Sequence, residues 1–341
     1  MRSLRVLAIM HHDLVPPDTI EGLTDEQIEP WKTEYDVTAA LHNLGHDVQA
    51  LGLASDLGEL RRAVKEFEPH VVFNLLEEFD GEAVFDQNVV SYLELLRVPY
   101  TGSGPQGLIL ARDKALSKQI LRYHRIRVPQ FAVFPRGRKV RRPRDLPFPL
   151  FVKSLIEEAS LGISQASIVD DDDKLAERVA FIHEQIGTDA IAERYIAGRE
   201  FYVGVIGDRR LHVLPTWELL FTKAPKDLPR IATSRVKWDE KYQKKHGVIT
   251  RAARNLPPDA AQAIPKLCKR IYRALSLTGY ARMDLRMTDE GELYVLEANP
   301  NPQLAYGEDF AEAAHAAGIV YEQMIQRIVN LGLRRGRQPA R

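Results

Sequence analysis

The sequence predicts a mixed chain whose front part is a parallel α/β sheet and whose remainder turns to α+β. Three patterns say so: strand-length apolar runs alternating with helix-spaced apolar positions as far as Ser103, a change of character after Gly104, and strand-turn-strand patterns from Asp189 onward. The chain has 341 residues, 45% apolar and 28% charged, which suits two or three packed units and excludes disorder. Its 47 basic and 47 acidic residues balance, so no global field draws it to nucleic acid or anionic lipid, and neither is expected as a partner. The lone cysteine, Cys268, excludes an internal disulfide framework and a cysteine zinc cluster and suits a reducing, cytoplasmic setting. Leu4 to Met10 is too short for a signal peptide, and no window is long and apolar enough to span a bilayer.

Strands are expected at 4–10, 46–53, 70–76 and 98–103, with helices at 33–44, 57–67 and 82–97 between them. The polar stretch 11–32, with Pro16 and Pro17, is a long connection of the kind that often binds or covers ligands. A helix follows from Gly107 to Tyr123, carrying Asp113 and Lys114, then a strand at 128–134 and an arginine-rich turn region at 136–149 that reads as a solvated loop. After the strand 148–154 comes a small-residue turn with Ser160 and Gly162. Asp170 to Asp173 then suit a helix N-terminus, where carboxylates meet unpaired amides. Strands are expected at 189–196, 199–208 and 209–219, with a hairpin turn at Gly207-Asp208. Thr222 to Arg254 lacks periodicity and reads as a mobile polar loop containing Lys237, Lys241 and Tyr242. A helix from Asp259 to Ser276 carries an internal Pro265, and the arginine-rich end reads as a frayed tail.

The stretch 280–302, YARMDLRMTDEGELYVLEANPNP, reads as an antiparallel hairpin. With Glu290 and Gly291 as a two-residue loop, Asp284 falls opposite Glu297 and Arg282 opposite Asn299, all on one face. Two carboxylates and an amide oxygen beside an arginine make an all-oxygen set suited to magnesium or manganese with nucleotide phosphates. Spacing alone leaves a second reading open, an exposed hairpin with Arg282 ion-paired to a carboxylate.

Residues 74–118, 148–164, 193–208 and 281–302 together resemble the ATP-grasp superfamily, nearest to its D-alanine:D-alanine ligase branch, in the family's order and spacings. The resemblance implies an ATP-grasp fold with an N-terminal Rossmann-like domain (1–105), a central subdomain (106–190), a C-terminal subdomain with the metal site (191–335) and a basic tail (336–341). It implies that Lys114 and Lys153 contact ATP phosphates, with Ser160, Gly162 and Ser164 in the lid over them. Glu193, Arg194, Tyr195 and Ile196 match the adenine hinge, Leu296 the adenine floor, and Glu200 the ribose carboxylate. Asp284, Glu297 and Asn299 match the ligands of two magnesium ions, Arg282 the arginine that stabilises the transferring phosphoryl group, and Lys241 with Tyr242 a pair on the omega loop.

The implied activity is ATP-dependent joining of a carboxylate to an amine through an acyl phosphate, with small amino-acid or peptide substrates and a homodimer as the assembly. Departures concern the substrate. The glycine-rich first loop of the branch is replaced by MHHDLVPPD, the lid serine by Ala159 and a small glycine by Gln303, and the tail of the metal motif differs at Tyr306 to Asp309. Glu34 could replace the glutamate with which that branch grips the first substrate's amino group, although a helix-surface role is expected for it. His11 and His12, adjacent on an extended segment, should point opposite ways. A different amino-acid or peptide acceptor is therefore expected. True D-alanine:D-alanine ligation and a catalytically weak ATP sensor are the alternatives.

Overall fold

The computed structural model describes residues 3–17, 19–157, 160–225 and 229–335. In the front unit, β1 (Arg5–His11), α1 (Lys32–Asn43), β2 (Asp47–Leu53), α2 (Leu57–Phe67), β3 (Val71–Asn74) and α3 (Asp86–Leu95) alternate along the chain. The strands form a parallel sheet in the order β2-β1-β3, with Val6 beside both Val48 and Val71. Val6 to Met10 are all at 0% exposure, because both faces of β1 are covered. Val6, Ala8 and Met10 pack against Val37 and Leu41 of α1 and Ile325 and Val329 of the C-terminal helix Tyr321–Arg335. Leu7 and Ile9 pack against Leu60 of α2 and Val89 and Leu93 of α3. Full burial of such side chains stabilises the fold by ~1.5–3 kcal/mol each. The expected strand at 98–103 is reduced to one bridge between Val72 and Tyr100.

The helix expected from 107 to 123 is two helices, α4 (Pro105–Arg112) and α5 (Lys114–Tyr123). Asp113 divides them by capping α5, its Oδ1 accepting the amides of Ala115 and Leu116, both at 2.9 Å. The central unit follows with β4 (Phe131–Phe134), β5 (Leu150–Ser154), β6 (Ile168–Val169), α6 (Asp172–Phe181) and β7 (Ala190–Arg194) in the antiparallel order β4-β7-β5-β6. The aspartate run does cap α6, Asp171 accepting the Lys174 amide at 2.7 Å.

The last unit is built on a sheet ordered β11-β10-β8-β12-β13, with β9 alongside β8. Its strands are β8 (Arg199–Gly207), β9 (Leu211–Val213), β10 (Trp217–Phe221), β11 (Val248–Ala252), β12 (Tyr280–Met287) and β13 (Leu293–Asn299). The strand pattern expected over 209–219 is therefore two strands, and the turn before it spans 208–210. Gly207 is required there: at φ +137° a Cβ would lie 2.1 Å from the Arg210 carbonyl oxygen. The segment 222–254 is not a loop. It contains α7 (Ser234–Trp238), α8 (Glu240–His246) and β11, which pairs with β10. Helix α9 (Pro258–Ala274) carries Pro265 inside it and buries Cys268 against the sheet.

The β12–β13 turn is one residue longer than expected. Gly291 N donates to Thr288 O at 2.9 Å and Thr288 N to Glu292 O at 3.0 Å, leaving Asp289, Glu290 and Gly291 as the loop. Met287 thus pairs with Leu293 and Leu285 with Val295, a register that would have misplaced the site. A bulge at Leu296 restores it: Asp284 pairs with Glu297 and Arg282 with Asn299. Among the described residues no helix is long and apolar enough to cross a membrane.

Candidate active site

Between the last sheet and the central one lies a cavity of about 890 Å³, counted out to open solvent. Arg282, Asp284, Glu297 and Asn299 line it from the hairpin, Lys114 from the first turn of α5 and Lys153 from β5. Glu193, Arg194, Tyr195 and Ile196, at the end of β7, line the opposite wall together with Glu200, Leu296 and Ser160. Gly162 does not line the cavity, and its carbonyl is bound by Arg178. Ser164 begins the turn that continues it, and Ala159 and residues 336–341 lie outside the described residues.

Charge is arranged along the cavity in two linked groups. Arg282 forks onto Asp284 through Nε at 2.7 Å and Nη2 at 2.9 Å, so the ion pair that spacing left as an alternative exists inside the cavity rather than on an exposed ribbon. Burial raises the Asp284 carboxyl, opposed by Arg282. Lys114 reaches Glu297 at 3.7 Å and donates to the Glu157 carbonyl at 2.7 Å. Burial would lift the Glu297 carboxyl, but Lys114, Lys153, Lys118 and Lys237 outweigh it and hold the group down at about 2. Glu297 is therefore ionised at neutral pH. Glu193, 2% exposed, lies 3.0 Å from Lys118 and 3.4 Å from Lys153.

The donor set fits a hard divalent cation. It offers oxygen only, from two carboxylates and the Asn299 amide, whose Oδ1 accepts the Asn301 amide at 2.7 Å and keeps a second lone pair. Each oxygen of Asp284 likewise retains acceptor capacity beyond its bond to Arg282.

Two residues expected here are elsewhere. Tyr242 is buried in α8, its ring 4.2 Å from that of His246 and beneath Arg235, and Lys241 beside it is exposed. Asp239 caps α8 at the Tyr242 amide (2.9 Å), and the helical turn this fixes sends the pair away from the cavity. Lys237, from α7, lines the cavity instead. Its ammonium is destabilised first by burial and then by Arg282, so its pKa falls.

Sequence reasoning also missed Arg286, which is 3% exposed and ion-paired to Glu200 while donating to the carbonyls of Ile196 (2.9 Å) and Arg230 (2.8 Å). Its two-residue spacing from Asp284 on β12 was the available signal. Ser234 Oγ meets the Ser160 carbonyl at 2.5 Å and Ser234 N that of Ile163 at 3.1 Å, so the small-residue turn is fastened to the segment before α7.

The profile of the D-ala D-ala ligase C-terminus family matches residues 120–330. The chain belongs to the D-alanine–D-alanine ligase family. It is an ATP-dependent, ADP-forming ligase of the ATP-grasp type. The D-alanine–D-alanine ligase of Desulforudis audaxviator is 30% identical over 92% of this chain and 97% of its own length. The uncharacterized protein y4sG of Sinorhizobium fredii is 32% identical over 90% of each chain. In fold, the ligase matches the ATP-complexed D-alanine–D-alanine ligase of Bacillus anthracis with a TM-score of 0.76, at 24% identity over 98% of this chain and 99% of that one.

The front of the ligase differs from expectation at two places. Glu34 is not on the helix surface but 6% exposed, and burial lifts its carboxyl to about 7, against a backbone hydrogen bond that lowers it. His11 ends β1 and His12 begins a single 3-10 turn, so the chain bends and brings their rings to 4.4 Å rather than to opposite sides. His11 Nε2 faces Glu78 at 3.2 Å.

The Glu34 shift sets a pH dependence. A carboxyl whose pKa is raised on folding binds its proton more tightly in the native state, so its contribution is full below 4.5 and is lost as pH rises through about 7. The loss amounts to about 3 kcal/mol. Denaturant titrations between pH 4.5 and 7.5 should show this decline in the wild type and a flatter profile in Glu34→Gln. Equal slopes in the two proteins would contradict the assignment.

Proposed function

We propose that this ligase activates a substrate carboxylate with ATP and joins it to the amine of an amino acid or peptide other than D-alanine. The observation that carries the reading is the meeting of Lys114, Lys153, Lys237 and Arg282 with Asp284, Glu297 and Asn299 in one cavity. In this reading the γ-phosphoryl group moves to a carboxylate oxygen, a new O–P bond replacing the bond to ADP. The amine then attacks the carbonyl carbon, phosphate leaves with the carboxylate oxygen, and the amine proton passes to solvent. Two magnesium ions, or manganese, held by Asp284, Glu297 and Asn299, would neutralise phosphate charge. Lys114 and Lys153 hold phosphate oxygens, while Arg282, Lys153 and Lys237 face the charge that builds during transfer. Tyr195 and Ile196 receive the base above Leu296, and Glu200, oriented by Arg286, receives the ribose.

An altered acceptor is supported by the loop after β13. Tyr306 N donates to Asp36 at 2.8 Å and Glu308 lies 3.7 Å from Lys32, so charged side chains of α1 meet the loop at the tail of the metal motif, where the sequence departs from the family. True D-alanine:D-alanine ligation is the second reading, favoured by the names of the relatives at 30–31% identity. The reading further places the protein in the cytoplasm, divides it at residues 105, 190 and 335, and pairs it as a homodimer through the front unit, where Leu95 (80% exposed) presents apolar surface.

Incubation with ATP, magnesium and pooled D- and L-amino acids and dipeptides, with mass spectrometry of products, tests it. ADP release that requires both an acid and an amine, with a new amide mass, is expected. A product of D-alanine alone selects the second reading, and nucleotide binding without turnover across broad panels excludes both. The two lysines separate cleanly as well: Lys237→Met should lower kcat by at least ~10-fold through loss of a preorganised charge, and Lys241→Met should leave it within about twofold. The reverse order in steady-state assays would return the omega-loop role to Lys241.

A further inference from the structure

At the bulge, Leu296 has no partner on β12. A backbone carbonyl left unpaired inside a protein costs ~1–3 kcal/mol, and this one is met by the Lys118 ammonium at 2.6 Å. Lys118 comes from α5, is 1% exposed and does not line the cavity. Its second partner is Glu193, at 3.0 Å. A lysine is almost never fully buried unless it is paired, and this one divides its contacts between the nucleotide-facing wall and the peptide just before Glu297.

That peptide decides where Glu297 points. From the turn, Met287 pairs with Leu293 and Leu285 with Val295; continued without a bulge, the same register would set Leu296 opposite Asp284 and turn Glu297 to the other face. The extra residue at Leu296 places Glu297 opposite Asp284. On the same outer edge Val295 N donates to Arg127 O at 3.0 Å, so β13 is fastened to the chain around α5 on both sides of the bulge residue's peptide.

We infer that Lys118 is a positioning residue that pins the Leu296 bulge and so fixes Glu297 as a metal-binding carboxylate opposite Asp284. This rests on the proposed role of Glu297 in holding divalent ions. In this role Lys118 acts through the Leu296 carbonyl, in addition to its field on Glu297, and touches neither nucleotide nor metal.

The test is calorimetric titration of magnesium into the protein saturated with a non-hydrolysable ATP analogue, together with nucleotide binding in the absence of metal. Lys118→Met should raise the magnesium midpoint by at least ~10-fold, as loss of an outer-shell support does. Metal-free nucleotide affinity should change less than the magnesium midpoint. A crystal structure of the variant should show the bulge displaced from Leu296. Glu297→Ala serves as reference. If it takes up magnesium as the wild type does, the metal role of Glu297 itself is wrong. If it loses uptake while Lys118→Met keeps the wild-type midpoint, only the positioning role is wrong. Removing one partner of a buried ion pair can prevent folding. In that event Glu193→Gln is compared with the charge-balanced pair Lys118→Met/Glu193→Gln. A ~10-fold weaker magnesium midpoint in the double variant supports the inference, and equal midpoints overturn it.

Discussion

Replacing Glu297 by alanine should cut turnover by at least ~100-fold, the scale set by losing preorganised charge stabilisation at a transferring phosphoryl group. The carboxylate is held ionised by Lys114, Lys153, Lys118 and Lys237 against its own burial, so the variant leaves mutually repelling cations around an absent anion. Nucleotide phosphates would then be gripped by lysine without the metal that offsets their charge. Steady-state kinetics should show the loss in kcat, and calorimetry should show nucleotide binding that no longer responds to magnesium. Acid should separately lower the stability of the wild type. Because the folded pKa lies near 2, below the ordinary 4.5, the ionised group stabilises the fold above 4.5 and that contribution disappears as pH falls through about 2. Wild-type rates in Glu297→Ala would contradict the metal role outright.

Arg282→Met should be nearly as severe, lowering kcat/KM by ~100- to 1,000-fold. Arg282 has two tasks. Its guanidinium faces the cavity 4.8 Å from the Tyr202 ring, and its fork holds both oxygens of Asp284. Without it, burial and the neighbouring Glu297 raise the Asp284 carboxyl against Lys237 with the main counterweight gone, and a protonated Asp284 is a poor metal ligand. Arg282→Lys restores charge but not the two-pronged geometry, so it should recover activity only in part. Kinetics at several magnesium concentrations distinguish the tasks: excess metal should rescue part of the defect if Asp284 is the weakened element. A variant with unchanged kcat/KM would remove Arg282 from the reaction.

Much of this site was legible because it lies on regular strands. Period-two alternation fixes which residues of β12 and β13 share a face, and Arg282, Asp284, Glu297 and Asn299 were found on that rule. The rule succeeded through two offsetting departures. A three-residue loop in place of two shifts the register by one, and the Leu296 bulge shifts it back. Neither departure leaves a mark in a lone sequence, since a bulge is specified by what packs against it. Here that partner is Lys118, 178 residues away from Leu296 along the chain.

Other parts were out of reach for similar reasons. The helices of 222–254 carry polar residues around most of their surface, so no apolar period announced them, and without helical phase Lys237 could not be told from Lys241. Glu34 looked like a surface residue because nothing in the local pattern of Lys32–Asn43 marks that position as covered, yet it is 6% exposed. The pairing of Arg286 with Glu200 crosses between β12 and β8, 86 residues apart, and depends on sheet order rather than local pattern. In the front unit, by contrast, the apolar run 4–10 marked a strand of a parallel sheet, and Val6 to Met10 lie in one, buried on both faces.

Crystals of the protein grown with manganese and a non-hydrolysable ATP analogue, measured at the manganese absorption edge, address the central claim most directly. Anomalous peaks within coordinating distance of Asp284, Glu297 and Asn299, with the triphosphate between them and Lys114 and Lys153, are the predicted result. Nucleotide bound with no anomalous peak at that hairpin, or peaks only at another site, would contradict it.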